Sequence, residues 1–188
     1  PIGDCRFSDI VVFSFHPVKI ITSAEGGMAV TNDEQVAGRM ELLRSHGITR
    51  DPGCMTRAPD GPWYYQQVDL GFNYRMTDVQ AALGLSQLSR IDAYVEARHR
   101  LAHRYGLLLA DLPVTLPHGD PNARSALHLY IIRVPAGGFS RRRVHERMLA
   151  EGIGVNVHYI PIYTQPYFAQ FGYRTDEFPV ANSYYEEA

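Results

Sequence analysis

Lys19 sits inside "SFHPVKIITSAEGG", residues 14 to 27, with the hydroxyl of Ser14 five residues before it and Gly26-Gly27 after it. Its neighbours are apolar: Phe15, Pro17, Val18, Ile20 and Ile21. Desolvation disfavours an ammonium, and a lysine amine that loses its proton is a nucleophile able to form a Schiff base with a carbonyl. Ser14 can offer a hydroxyl to a phosphate, and Glu25-Gly26-Gly27 lets the backbone turn sharply beside the amine. A solvated lysine at a strand end is the commoner use of this residue. On residue chemistry alone both readings stand.

Other chemistry-bearing residues carry weaker signals. Asn73, in "GFNYRM", reads as a turn residue after Gly71. Arg44, Ser45 and His46 end a helical stretch, where Arg44 favours the C-terminal dipole. His158 and Tyr159 follow an apolar run, where a hydrogen-bonded histidine at a strand end is the plain alternative to a ligand contact. His99 and His103 are four apart and share a helix face, but zinc would want two more ligands and no nearby pattern offers them. Among Arg98, Arg100 and Arg104 they read as a solvated basic face, and no metal site is expected. Arg141, Arg142 and Arg143 suit a diphosphate or, more simply, solvent. The aromatic "PWYYQQ" loop suits a cover for a substrate or a contact with a second subunit.

The elements that position these residues follow from pattern. "DIVVFSF" (9–15) is β-branched and aromatic and predicts a buried strand; "GGMAVTN" (26–32) predicts a turn and a second strand. "DEQVAGRMELLRSHG" places Val36, Met40 and Leu43 at helical spacing, with Asp33 as cap and Gly47 as stop. Residues 50–69 hold Pro52, Gly53, Pro59, Gly61 and Pro62 and predict a long loop of the kind that carries function. A long helical stretch over about 77–111 starts at Thr77 or Asp78 and bends near Ser89. Then follow a proline-marked connector, a strand over 127–134, a helix capped by Ser140 and stopped by Gly152, and a strand over 154–160. A short irregular stretch and a last helix from Pro179 complete the chain. This order predicts three parts: sheet strands plus a helix over 1–75, connecting helices over 76–111, and a small α+β domain over 112–188.

The whole chain has 188 residues, 45% apolar and 20% charged, enough for a packed core. A net charge of −2 argues against coating nucleic acid or a membrane surface, and no apolar run reaches the length of a membrane span. Two cysteines, Cys5 and Cys54, do not make a disulfide framework and fit a reducing cytoplasm.

The stretch "FSFHPVKIITSAEGG" resembles the lysine segment of the DegT/DnrJ/EryC1/StrS family of pyridoxal-phosphate sugar aminotransferases. The resemblance continues through "LLRSHGI" (42–48), "LGFNYRMTDVQAALGLSQL" (70–88) and "GIGVNVHYIPI" (152–162), and so covers nearly the whole chain. It implies an α/β architecture: the C-terminal part of a fold-type I, aspartate-aminotransferase-like enzyme, comprising the end of the large-domain sheet, a long connecting helix and a small α+β domain. It implies pyridoxal 5'-phosphate as cofactor, held by Lys19 as a Schiff base, with Ser14 on the phosphate. Asn73 is implied to reach that phosphate from the neighbouring subunit of a homodimer with shared active sites. His158, Tyr159 and His46 are implied to lie at the nucleotide-sugar pocket. The implied substrates are a UDP-linked 4-keto sugar and an amino donor, glutamate in most members. Dehydratase relatives carry histidine at the lysine position, so Lys19 favours the transaminase.

The family's acidic partner for the pyridine nitrogen and the residues that stack on the ring lie upstream of its lysine. Nothing before Lys19 has room for them, because Asp4 and Asp9 are too close to the first strand. The chain is therefore expected to be the C-terminal part of a longer enzyme.

Overall fold

A computed structural model describes residues 2–135, 137 and 140–188. The chain divides into two compact units, one up to Tyr94 and the other from Val95 to Ala188.

In the first unit, β1 (Val11–Ser14) pairs antiparallel with β2 (Gly27–Val30), from Val11 opposite Val30 to Ser14 opposite Gly27. The pair is short, and its intervening loop carries Lys19. Helix α1 (Glu34–Arg44) starts at Asp33, whose carboxylate accepts from Gln35 N at 2.8 Å and Val36 N at 3.1 Å. Those two bonds satisfy amides that the first turn leaves open. Val36, Met40 and Leu43 form its half-buried seam. Just after the helix, β3 (Ile48–Thr49) pairs antiparallel with β4 (Gln66–Gln67), closing the predicted loop into a long arm that contains a 3-10 turn at Pro52–Cys54.

Helix α2 (Asp78–Leu88) begins with a capping box: Thr77 Oγ1 accepts from Gln80 N, and the Gln80 side chain accepts from Thr77 N. The expected bend is a break at Ser89-Arg90, after which α3 (Ile91–Leu108) begins. Ser89 Oγ and Arg90 Nε both donate to Ser86 O there, at 2.9 and 3.3 Å. Side-chain donors thus compete with the backbone ladder where the helix gives way.

In the second unit, α4 (Arg141–Ala150) is capped by Ser140 Oγ, which accepts from Arg143 N at 3.2 Å. The helix stops before Gly152, at φ +77°. Short 3-10 turns at Ile162–Thr164, Pro166–Phe171 and Thr175–Glu177 lead to α5 (Pro179–Glu187).

The strands predicted over 127–134 and 154–160 do not form ladders among the described residues. Pairing there is a single bridge, Thr115 with Arg133, closed by bonds of 2.8 and 2.9 Å. The other backbone groups of 127–134 are taken up elsewhere: Arg98 donates to Leu127 O and His128 O, and Val134 N donates to Glu187 O. Leu127 also stands at φ +52°, outside the strand region.

Candidate active site

Lys19 stands on a loop tied shut at its base. Phe15 N donates to Gly26 O at 2.9 Å, and Phe15 O accepts from Ser23 N at 3.0 Å and Thr22 Oγ1 at 2.8 Å. Ser23 is fully buried and donates from Oγ to Glu25 O. Thr22 N donates to Gln87 Oε1 at 3.0 Å, which pins the loop to α2. Gly26 is required here: at φ +146°, a Cβ would meet Met76 Cε and Ser23 Oγ at 2.6 Å. Within this frame, Lys19 N donates to His16 O at 2.9 Å and His16 N donates to Ser14 Oγ at 3.3 Å. The Ser14 hydroxyl is exposed at the end of β1 and the Lys19 side chain is half-buried. The apolar surround is partial: Ile20 and Ile21 are half-buried, but Val18 is 61% exposed on the outside of the turn.

A second cluster forms where the end of α1 meets residues 67–75. His46 N donates to Phe72 O at 2.8 Å, Phe72 N to Leu43 O at 2.7 Å and Tyr74 N to Arg44 O at 3.0 Å. Asn73 pairs with Ser45 as an isolated bridge and is exposed. His46 is half-buried at φ +64°, with Nε2 3.4 Å from Arg75 Nη2. Two glycines make the junction possible. Gly47 stands at φ +70°, where a Cβ would lie 2.5 Å from the Asp69 carbonyl carbon. On Gly71 a Cβ would lie 2.5 Å from the His46 carbonyl carbon and 2.7 Å from Leu43 O.

His158 and Tyr159 belong to the second unit. Their rings lie 4.3 Å apart, and His158 Nδ1 is 3.5 Å from the Tyr184 hydroxyl. Both line a largely apolar cavity of about 670 Å³ that also takes in Asn156, Arg141, His145 and Glu187.

A family profile described as the DegT/DnrJ/EryC1/StrS aminotransferase family matches residues 3–188. The chain belongs to this family. It is 38% identical over 159 residues to the UDP-4-amino-4,6-dideoxy-N-acetyl-beta-L-altrosamine transaminase of Campylobacter jejuni, covering 83% of this chain and 40% of that protein. It is 36% identical over 185 residues to the GDP-perosamine synthase of Caulobacter vibrioides, covering 97% of this chain and 45% of that protein. Among solved structures, Helicobacter pylori PseC, an aminotransferase involved in the biosynthesis of pseudoaminic acid, superposes with a TM-score of 0.84 at 33% identity. It covers 96% of this chain and 47% of that one. The chain therefore spans about half the length of the curated relatives it matches. Aminotransferases of the DegT/DnrJ/EryC1/StrS family use pyridoxal phosphate.

For a DegT/DnrJ/EryC1/StrS chain the geometry sorts the candidate residues into three groups. Ser14 and Lys19 share one hydrogen-bonded loop; His46 and Asn73 share one backbone junction; His158 and Tyr159 line the cavity of the second unit. A primary amine and an exposed hydroxyl on one braced loop are a donor set that fits a phosphorylated aldehyde.

Three of the residues with weaker signals, His99, Arg141 and Arg142, have partners in the structure. His99 contacts Ser125 O at 2.9 Å, and among the described residues no three His, Cys, Asp or Glu side chains are placed to hold a metal ion. Arg141 lies over the Tyr185 ring at 4.5 Å, and Arg142 pairs with Glu146.

Two residues with roles in these clusters escape pattern reasoning: Arg75, beside His46, and Gln87, which pins the Lys19 loop. One compositional signal was available. Lys19 is the only lysine in the chain; the other 17 of its 18 basic residues are arginine.

Proposed function

We propose that the protein carrying this chain is a pyridoxal-phosphate-dependent nucleotide-sugar aminotransferase. It transfers an amino group from glutamate to the C4 keto carbon of a UDP-linked 4-keto-6-deoxy sugar. The observation that carries this reading is the solitary lysine. Where a cation is needed, this chain uses arginine, a permanently protonated group that cannot form an imine. A single lysine kept half-buried on a braced loop, with the exposed Ser14 at the base of that loop, is there for its amine.

Pyridoxal phosphate, when bound, supplies an electron sink to the carbon that loses its proton. The remaining work falls to residues of the chain. Lys19 Nζ would hold the cofactor at its aldehyde carbon, and as a free amine it would take the proton from the donor's α-carbon. Ser14 Oγ donates to the cofactor phosphate. Asn73 reaches that phosphate from the other subunit of a homodimer, so each site needs both chains. His46, His158 and Tyr159 bind the nucleotide sugar. In this reading residues 1–75 belong to the cofactor domain, 76–111 connect, and 112–188 form the small domain. Similarity to the Campylobacter transaminase and to PseC supports a UDP-linked acceptor on the route to pseudaminic acid.

The test is a coupled assay of the complete protein with pyridoxal phosphate, glutamate and either a UDP-linked or a GDP-linked 4-keto sugar. Amino-sugar formation from the UDP substrate is expected. Turnover of the GDP substrate alone would move the acceptor to the other nucleotide, and turnover of neither would remove the reading.

A further inference from the structure

The arm between β3 and β4 is organised around one side chain. Gln66 is among the few buried polar residues described, at 8% exposure. Its Oε1 accepts from Thr56 N at 2.8 Å and Thr56 Oγ1 at 3.0 Å. Its Nε2 donates to Arg57 O at 3.3 Å and to the Tyr64 hydroxyl at 3.1 Å. Arg57 Nε donates to the same hydroxyl at 2.8 Å. One amide thus spends its acceptor and donors on both sides of a surface arm, which fixes the arm before any ligand arrives.

The fixed tip presents an aromatic plate. The Trp63 indole lies over Gly61, where a Cβ would come within 2.6 Å of the ring, yet Trp63 keeps 68% of its surface exposed. Tyr65 is 52% exposed beside it in sequence. The base of the arm is rooted in the junction that carries His46: Gln67 Nε2 donates to His46 O at 3.1 Å and Val68 N to Gly47 O at 2.8 Å.

We propose that Gln66 is a positioning residue that locks this arm, and that Trp63 is the surface on which the planar base of the nucleotide sugar stacks. The inference rests on the proposed nucleotide-sugar reading and names its base-recognition element. A rigid indole plate on glycine loses little freedom on binding, and every nucleobase has a face to offer it. The link to His46 ties the arm to the substrate junction.

Trp63 is the single tryptophan of these 188 residues, and the difference in emission between the wild-type protein and Trp63→Phe reports the arm. The experiment titrates UDP into the holoenzyme and follows that emission, subtracting a Trp63→Phe control. Saturable quenching is expected. Trp63→Ala should raise the KM for the nucleotide sugar about fivefold to a hundredfold, with the effect on KM rather than kcat. Gln66→Met, similar in size but without the amide, should raise KM in the same sense and broaden the Trp63 emission. Emission that ignores UDP but changes as the protein is diluted would overturn the proposal, by showing that a second copy covers the plate. So would a Trp63→Ala enzyme with an unchanged KM. The wild-type half-reaction with glutamate uses no nucleotide. Its failure would strike the aminotransferase reading itself, whereas its success with a silent Trp63 would strike this inference alone.

Discussion

Gly47 and Gly71 cross at the end of α1 so closely that a Cβ on Gly71 would overlap the Gly47 backbone nitrogen outright. The crossing lets residues 42–47 and 68–74 exchange four of the backbone hydrogen bonds that hold His46 and Asn73 in place. These are His46 N to Phe72 O, Phe72 N to Leu43 O, Val68 N to Gly47 O and Tyr74 N to Arg44 O. The added methyl of Gly71→Ala would meet backbone on three sides, and backbone cannot rotate away as a side chain can. The substitution should cost roughly 2–4 kcal/mol of stability, read as a lowered midpoint in urea. An unchanged midpoint would mean that the two segments are not in contact.

Asn73 is exposed between two residues whose amides are bonded to the end of α1, Phe72 N to Leu43 O and Tyr74 N to Arg44 O, so its side chain is held where a ligand can reach it. Asn73→Ala should weaken pyridoxal phosphate binding about tenfold to a hundredfold, the worth of one hydrogen bond to a charged group, with little effect on folding. Mixing Asn73→Ala with Lys19→Ala subunits should recover activity, because one of the two sites then receives both intact residues. Mixed dimers that stay inactive would contradict a shared site.

Cys54 Sγ lies 3.5 Å from Asp51 Oδ2, and the hydrogen bond to that carboxylate, with its charge, pushes the Cys54 thiol up from its ordinary value. A thiolate beside a carboxylate is disfavoured, so the reactive form appears only at higher pH. In a Cys5→Ser background, Asp51→Asn should shift the pH midpoint of Cys54 alkylation by iodoacetamide downward. The asparagine oxygen still accepts the Gly53 N–H that Asp51 Oδ1 now holds at 2.9 Å. An unmoved midpoint would mean that the carboxylate does not govern the thiol.

Local rules were legible in the sequence because they depend on neighbours a few residues away. Asp33, Thr77 and Ser140 cap their helices by bonding to amides two or three positions on, and the bend near Ser89 comes from side chains reaching one turn back. The apolar runs at 127–134 and 154–160 mark chain that is to be covered, but an apolar pattern does not say whether the backbone pairs. Here Arg98 and the end of α5 take hydrogen bonds that a neighbouring strand would otherwise make. Lys19 drew attention through its neighbours, yet only the fold shows Val18 turned outward while Ile20 and Ile21 are half-buried. The Gly47–Gly71 crossing joins residues distant in sequence, and Gln66 reaches back to Arg57 and Thr56 across the arm, separations that no short motif encodes.

The central claim is that the one lysine amine of this chain holds the cofactor. The direct measurement is to incubate the complete protein with pyridoxal phosphate, reduce with borohydride, digest, and locate the pyridoxyl group by mass spectrometry. The account predicts the group on the peptide containing Lys19, at close to one per chain, with loss of both label and amino-sugar formation in Lys19→Ala. Arginine cannot take its place, so Lys19→Arg should fail in the same way. A stoichiometric label on any other residue, or a Lys19→Ala protein that still transfers the amino group, would contradict it.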